Sequence, residues 1–91
     1  MSSAEDFNIA VGKVLRAIRT HKRLTIGQVN NTYGISHSTL GNWENSKVSP
    51  SIESLYNLSK IYGVKMSFIM SMAENEMKRN KDSDSETKEC T

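Results

Sequence analysis

A chain of 91 residues holds one domain and argues against a large catalytic cavity, because at this size only about 60–65% of the surface exposed in the unfolded chain is buried on folding. With 36% hydrophobic and 24% charged residues, no apolar run near the roughly 18 residues that cross a bilayer, and a polar, acidic start (MSSAEDFN) unlike a secretory signal, a soluble cytoplasmic protein with no membrane partner is expected. Four Lys/Arg and six Asp/Glu fall after residue 73, which leaves residues 1–73 at a formal +4, a balance that suits a polyanion as readily as plain solvation of a small surface.

Residues 1–8 are expected to be a flexible N-terminal segment. Val11, Val14, Leu15 and Ile18 then recur at i, i+3, i+4 and i+7, with Lys13, Arg16 and Arg19 off the stripe, which predicts a first amphipathic helix. In LTIGQV, Thr25 can cap a second helix, Gln28 completes a capping box, and Leu24 can staple to Val29. Gly34 is placed to end that helix in the left-handed conformation.

The stretch GISHSTLGNWENSK repeats the start signal, with Ser36 as N-cap, Ile35 before it and Leu40 as staple partner. So short a connection predicts two short helices crossing steeply, a helix-turn-helix with its turn and second helix over about 34–45. Leu40 and Trp43 point inward, leaving His37, Ser38, Gly41 and Asn42 outside. That outer face is polar, short and nearly uncharged, the character of side chains that hydrogen-bond to base edges in a major groove. A merely solvated helix face is more often filled with Lys and Glu.

Ser49 and Pro50 are expected to open a fourth helix as N-cap and N1, with Ile52, Leu55, Leu58 and Tyr62 as its inner stripe and Gly63 as its stop. A fifth helix is predicted from about Met66 to Ala73. Its segment KMSFIMSMA is apolar around more of the helix than one core-facing stripe needs. Two destinations stand for Phe68 and Met72: a dimer contact, or packing back on helix 1 with Phe7 and Ile9. Residues 74–91 have the composition of a disordered polar tail, which contains the single cysteine, Cys90. The sum is an all-α, compact five-helix domain over 9–73.

These residues resemble the lambda repressor and Cro-like helix-turn-helix proteins, the XRE family, through VGKVLRAIR, LTIGQV, YGIS, STLGNWEN and SPSIESLYNLSKIYGV in that order, from Val11 to about Met70. The resemblance implies a lambda repressor-like DNA-binding domain whose partner is double-stranded DNA. It places base-reading positions on His37, Ser38 and Asn42, and phosphate contacts on Thr25, Ile26, Thr39, Asn45 and Lys47. An Asn amide at position 42 can pair bidentately with adenine.

The resemblance also implies that Arg19 and Glu44 pair to brace the reading helix, the alternative being a free phosphate contact or a solvated charge at Arg19. Small proteins of this kind commonly bind as two-fold dimers that read major-groove turns about 34 Å apart. Ile26 stands where Gln is frequent, Asn30 where a small residue is usual, and Ser46 where Gly is common. A buried Asn30 amide needs partners or costs about 1–3 kcal/mol.

No paired carboxylates, metal-ligand spacing or Gly-rich phosphate loop points to catalysis, and no cofactor, metal or small-molecule ligand is implied. The reading is a sequence-specific transcriptional regulator, a repressor bound to a palindromic operator as a homodimer, and not an enzyme. The competing class is a protein-interaction module on a helix-turn-helix scaffold, such as an antitoxin or co-regulator.

Overall fold

The computed structural model describes residues 3–85, with side chains described for 5–78. It contains five helices, α1 (Ser3–His21), α2 (Ile26–Tyr33), α3 (His37–Glu44), α4 (Ile52–Tyr62) and α5 (Met66–Ser85), and no strand among the described residues. None of these helices is long and apolar enough to cross a membrane.

α1 forms the centre of the bundle, packing most extensively on α5 and next on α3. Its predicted stripe is buried: Val11, Val14, Leu15 and Ile18 all belong to the core, with Ala10 added immediately before it. Leu15, Leu40, Leu58, Ile69 and Val29 are the largest fully buried side chains, one from each helix. At about 1.5–3 kcal/mol for each buried side chain of this kind, they join all five elements into one core.

The local signals at α2 and α3 act as the sequence predicts. Thr25 Oγ1 accepts from the Gln28 amide at 3.0 Å and Gln28 Oε1 accepts from the Thr25 amide at 2.8 Å, a complete capping box. Gly34 ends α2 at φ 78°. Ser36 Oγ accepts from the Thr39 amide at 3.1 Å and opens α3, and Gly63 ends α4 at φ 71°.

Three boundaries differ from those that composition and pattern predict. α1 begins at Ser3, so residues 3–8, expected as a flexible segment, are helical. Phe7 packs there against the core, and Glu5 and Asp6 lie in the first turn, where the helix dipole favours negative charge. α4 is capped by Ser51, whose Oγ accepts from the Ser54 amide at 3.1 Å, rather than by Ser49. Pro50 thereby precedes the cap instead of following it. Ile52 becomes the first helical residue and is 78% exposed, outside the inner stripe of Leu55, Leu58 and Tyr62.

α5 continues past Ala73 through 74–85, a stretch whose composition predicts a disordered tail. Met77 packs against the core and Lys13 reaches Glu76 at 3.8 Å. These contacts stabilise a segment already rich in helix-forming Glu, Met and Lys. Residues 86–91, including Cys90, lie outside the described residues.

α1 crosses the end of α3 at Gly12. A Cβ added there would lie 2.6 Å from Ser46 Oγ, 2.7 Å from the Glu44 carbonyl oxygen and 2.8 Å from that of Trp43. Only a residue without a side chain lets the two backbones approach so closely. Ser46 itself has φ 64°, a left-handed conformation that costs a residue with a side chain roughly 1–2 kcal/mol.

Candidate nucleic-acid interface

Residues 34–36 alone separate α2 from α3, and a side chain from within α2 closes this turn. Asn30 Nδ2 donates to the Ile35 carbonyl at 2.9 Å, so the amide that stands where a small residue is usual satisfies the backbone just before the α3 N-cap. The unusual residue is therefore a tie between the two helices. It escapes sequence pattern because its partner is a backbone carbonyl.

The structure brings Arg19, in the last turn of α1, together with Glu44, the last residue of α3. Nε donates to Oε2 at 2.7 Å and NH2 donates to Oε1 at 3.0 Å, a two-point bond between planar groups. The third arm, NH1, donates to the Leu24 carbonyl at 2.7 Å, in the link between α1 and α2. One guanidinium thus holds the exit of α1 and the end of α3 in a single arrangement.

Both side chains are deeply buried, with exposures of 10% for Arg19 and 4% for Glu44. The hydrogen-bonded carboxylate raises the Arg19 pKa, while burial acts in the opposite direction. Nearby, burial pushes the Tyr62 phenol up to about 12, with the Glu44 carboxylate adding to the shift and the Arg19 guanidinium opposing it. The Tyr62 hydroxyl is buried without a hydrogen-bond partner among the described residues.

With its inner side fixed by Leu40, Trp43 and Glu44, α3 turns the remaining positions outward. His37 and Ser38 are exposed, and Gly41 and Asn42 are half-buried. The His37 ring lies near α2, where a Cβ added at Gly27 would be 3.8 Å from its Nε2. A Cβ added at Gly41 would meet nothing within 4 Å, so the middle of this face stands open.

The other singled-out positions flank this face with differing capacities. Thr25 Oγ1 accepts its capping bond and keeps a hydroxyl proton to donate. Thr39 Oγ1 likewise accepts from Ser36 Oγ at 2.7 Å and retains its own proton. The Ile26 side chain packs against the core, which leaves its backbone N–H, at the start of α2, as the group that can meet a phosphate. Asn45 and Lys47 are exposed just beyond α3, and the amides of Lys47 and Val48 both donate to the Asn42 carbonyl, at 2.9 and 3.3 Å.

Away from this surface, Phe68 is 45% and Met72 39% exposed. They line a depression against Ala17, Ile18, His21, Lys22 and Val64 and lie open on the α1–α5 side, whereas Phe7 packs against the core. Among the described residues no group of three or more His, Cys, Asp or Glu is placed to hold a metal ion.

A helix-turn-helix family model matches residues 15–69. Two curated proteins, each named HTH-type transcriptional regulator PuuR, from Escherichia coli (strain K12) and Shigella flexneri, are 36% identical to the chain over 69 residues. The aligned stretch takes in 76% of this chain and 37% of each regulator, so the chain spans little more than a third of the length of these relatives. No solved structure matches it.

Proposed function

The chain belongs to the XRE-type helix-turn-helix family, and from that premise we propose that it is a sequence-specific DNA-binding transcriptional regulator, a repressor that occupies a palindromic operator in the cytoplasm as a homodimer. The observation that carries the reading is the outward face of α3. It is a short, nearly uncharged polar surface on a helix fixed from behind by a buried two-point ion pair. Such a face serves base edges, which need hydrogen-bonding groups at a fixed distance and angle.

In this reading His37, Ser38 and Asn42 face base edges. Thr25, Thr39, Asn45, Lys47 and the Ile26 amide take phosphates on either side. Phosphate contacts hold the protein in register, and base contacts choose the sequence. Repression follows by occlusion of the DNA that α3 covers.

Sequences selected from a random DNA pool test this directly. Asn42→Ala is expected to lose about 1–3 kcal/mol on the selected site with little change on random DNA. Lys47→Ala is expected to weaken both alike and to flatten the salt dependence by about one unit per site. Equal binding of the selected site by Asn42→Ala and wild type would remove Asn42 from the reading positions. A protein-interaction module, the competing reading, gives neither a selected motif nor a steep salt slope.

The open pair Phe68 and Met72 supports the homodimer, since an exposed apolar patch calls for a cover. Phe68→Glu is expected to leave a helical monomer at micromolar concentration, by sedimentation and circular dichroism, and to reduce operator affinity roughly 100-fold as two-site binding becomes one-site binding. A variant that stays dimeric moves the interface elsewhere on the molecule.

A further inference from the structure

Four helix ends pass through a left-handed residue: Arg23 (φ 60°), Gly34 (φ 78°), Ser46 (φ 64°) and Gly63 (φ 71°). At Gly34 and Gly63 an added Cβ would meet nothing within 4 Å, so glycine there answers a backbone need alone. Ser46 meets the same need at the end of α3 with a side chain that this conformation disfavours.

What that side chain gains is contact with the first half of α1. Ser46 Oγ donates to the Asn8 carbonyl at 3.2 Å, and Asn8 Nδ2 donates to the Ser46 carbonyl at 3.4 Å, the weaker of the two. Gly12, one turn beyond Asn8, clears the space for the hydroxyl. Asn8 and Gly12 both precede Leu15, where the family match begins.

We propose that Asn8 and Ser46 form a clasp that positions α3 for base reading, beside the Arg19–Glu44 brace. The proposal rests on the DNA-binding reading. The clasp acts on the reader through the backbone: the segment that begins at Ser46 sends two amides, from Lys47 and Val48, to the carbonyl of Asn42. Holding Ser46 against α1 therefore fixes the rotation of α3 about its own axis, and with it the direction in which the Asn42 amide leaves the helix. Asn8 and Ser46 touch no base in this arrangement; they are positioning residues.

Ser46→Gly separates positioning from stability, because it deletes the hydroxyl while easing the left-handed backbone. Its thermal midpoint is expected within about 5 °C of wild type. Its affinity for the selected operator is expected to fall about tenfold with random-DNA binding unchanged, the signature of a lost base reading rather than a lost phosphate contact. Asn8→Ala, which removes only the weaker bond, is expected to give a smaller drop in the ratio of selected to random binding. Each single variant keeps the bond that uses the other residue's backbone carbonyl, so the double variant, which removes both, should lose more of that ratio than either single one.

A Ser46→Gly protein that keeps the wild-type ratio of selected to random binding overturns the clasp. So does a double variant, with both bonds removed, that keeps that ratio. A wild-type protein that selects no sequence at all fails the DNA-binding reading itself, and the clasp with it.

Discussion

Glu44→Ala is expected to lower stability by about 3 kcal/mol, or roughly 10–20 °C in thermal midpoint. The Coulomb attraction that is lost is the smaller part of this. The larger part is that Arg19, 10% exposed, keeps its charge in the folded state and has only the Leu24 carbonyl left as a partner. An exposed ion pair of the same type is worth about 0–1 kcal/mol, so burial decides the size of the effect.

Replacing both partners by apolar residues, Arg19→Met with Glu44→Leu, should restore most of the loss, because no stranded charge remains. Operator affinity should stay low in that double variant, since an apolar contact does not set the angle of α3 as a planar two-point bond does. Thermal melts of the three proteins check the ordering. A Glu44→Ala midpoint within about 2 °C of wild type would show that the pair contributes no more than a surface one.

Gly12→Ala is expected to destabilise by about 2 kcal/mol or more, although helix propensity alone favours alanine by about 1 kcal/mol. The opposing term is overpacking, about 1–3 kcal/mol and occasionally more. It wins because two of the three atoms within 2.8 Å of the new methyl are backbone carbonyl oxygens at the end of α3, which cannot rotate away. Gly41→Ala is the internal control. Its methyl meets nothing within 4 Å, so propensity acts unopposed and the midpoint should rise. Denaturant titration of the pair tests the sign in each case, and a stabilising Gly12→Ala would place α1 farther from α3.

Thr25, Gln28, Gly34, Ser36 and Gly63 were legible because each acts on backbone groups within a few residues of itself, so spacing alone reveals it. At the start of α4 the expected cap was Ser49, whereas the hydroxyl that reaches an amide three residues on is that of Ser51. The ends of α1 and α5 were hidden for a different reason. Residues 3–8 and 74–85 become helical through contacts such as Phe7 and Met77 on the core, which composition does not register.

Of the candidate site, the outward polar face of α3 could be read from its residue types. The Asn30 tie to Ile35 and the Gly12 crossing could not. A glycine inside a helical stripe and an asparagine near a helix end each carry the same local signal whether or not a second backbone lies against them. The Asn8–Ser46 bonds, 38 residues apart, have no local signature at all.

The open middle of α3 bears on how such a protein diversifies. Its anchors, Leu40, Trp43 and Glu44, face inward, while His37, Ser38, Gly41 and Asn42 contribute little to the core. If the outer face reads DNA as proposed, selection on target choice and selection on foldedness act on different residues of one eight-residue helix. On that reading, a duplicated copy of the gene could change His37, Ser38 and Asn42, acquire a new operator and stop competing with its parent for the old one.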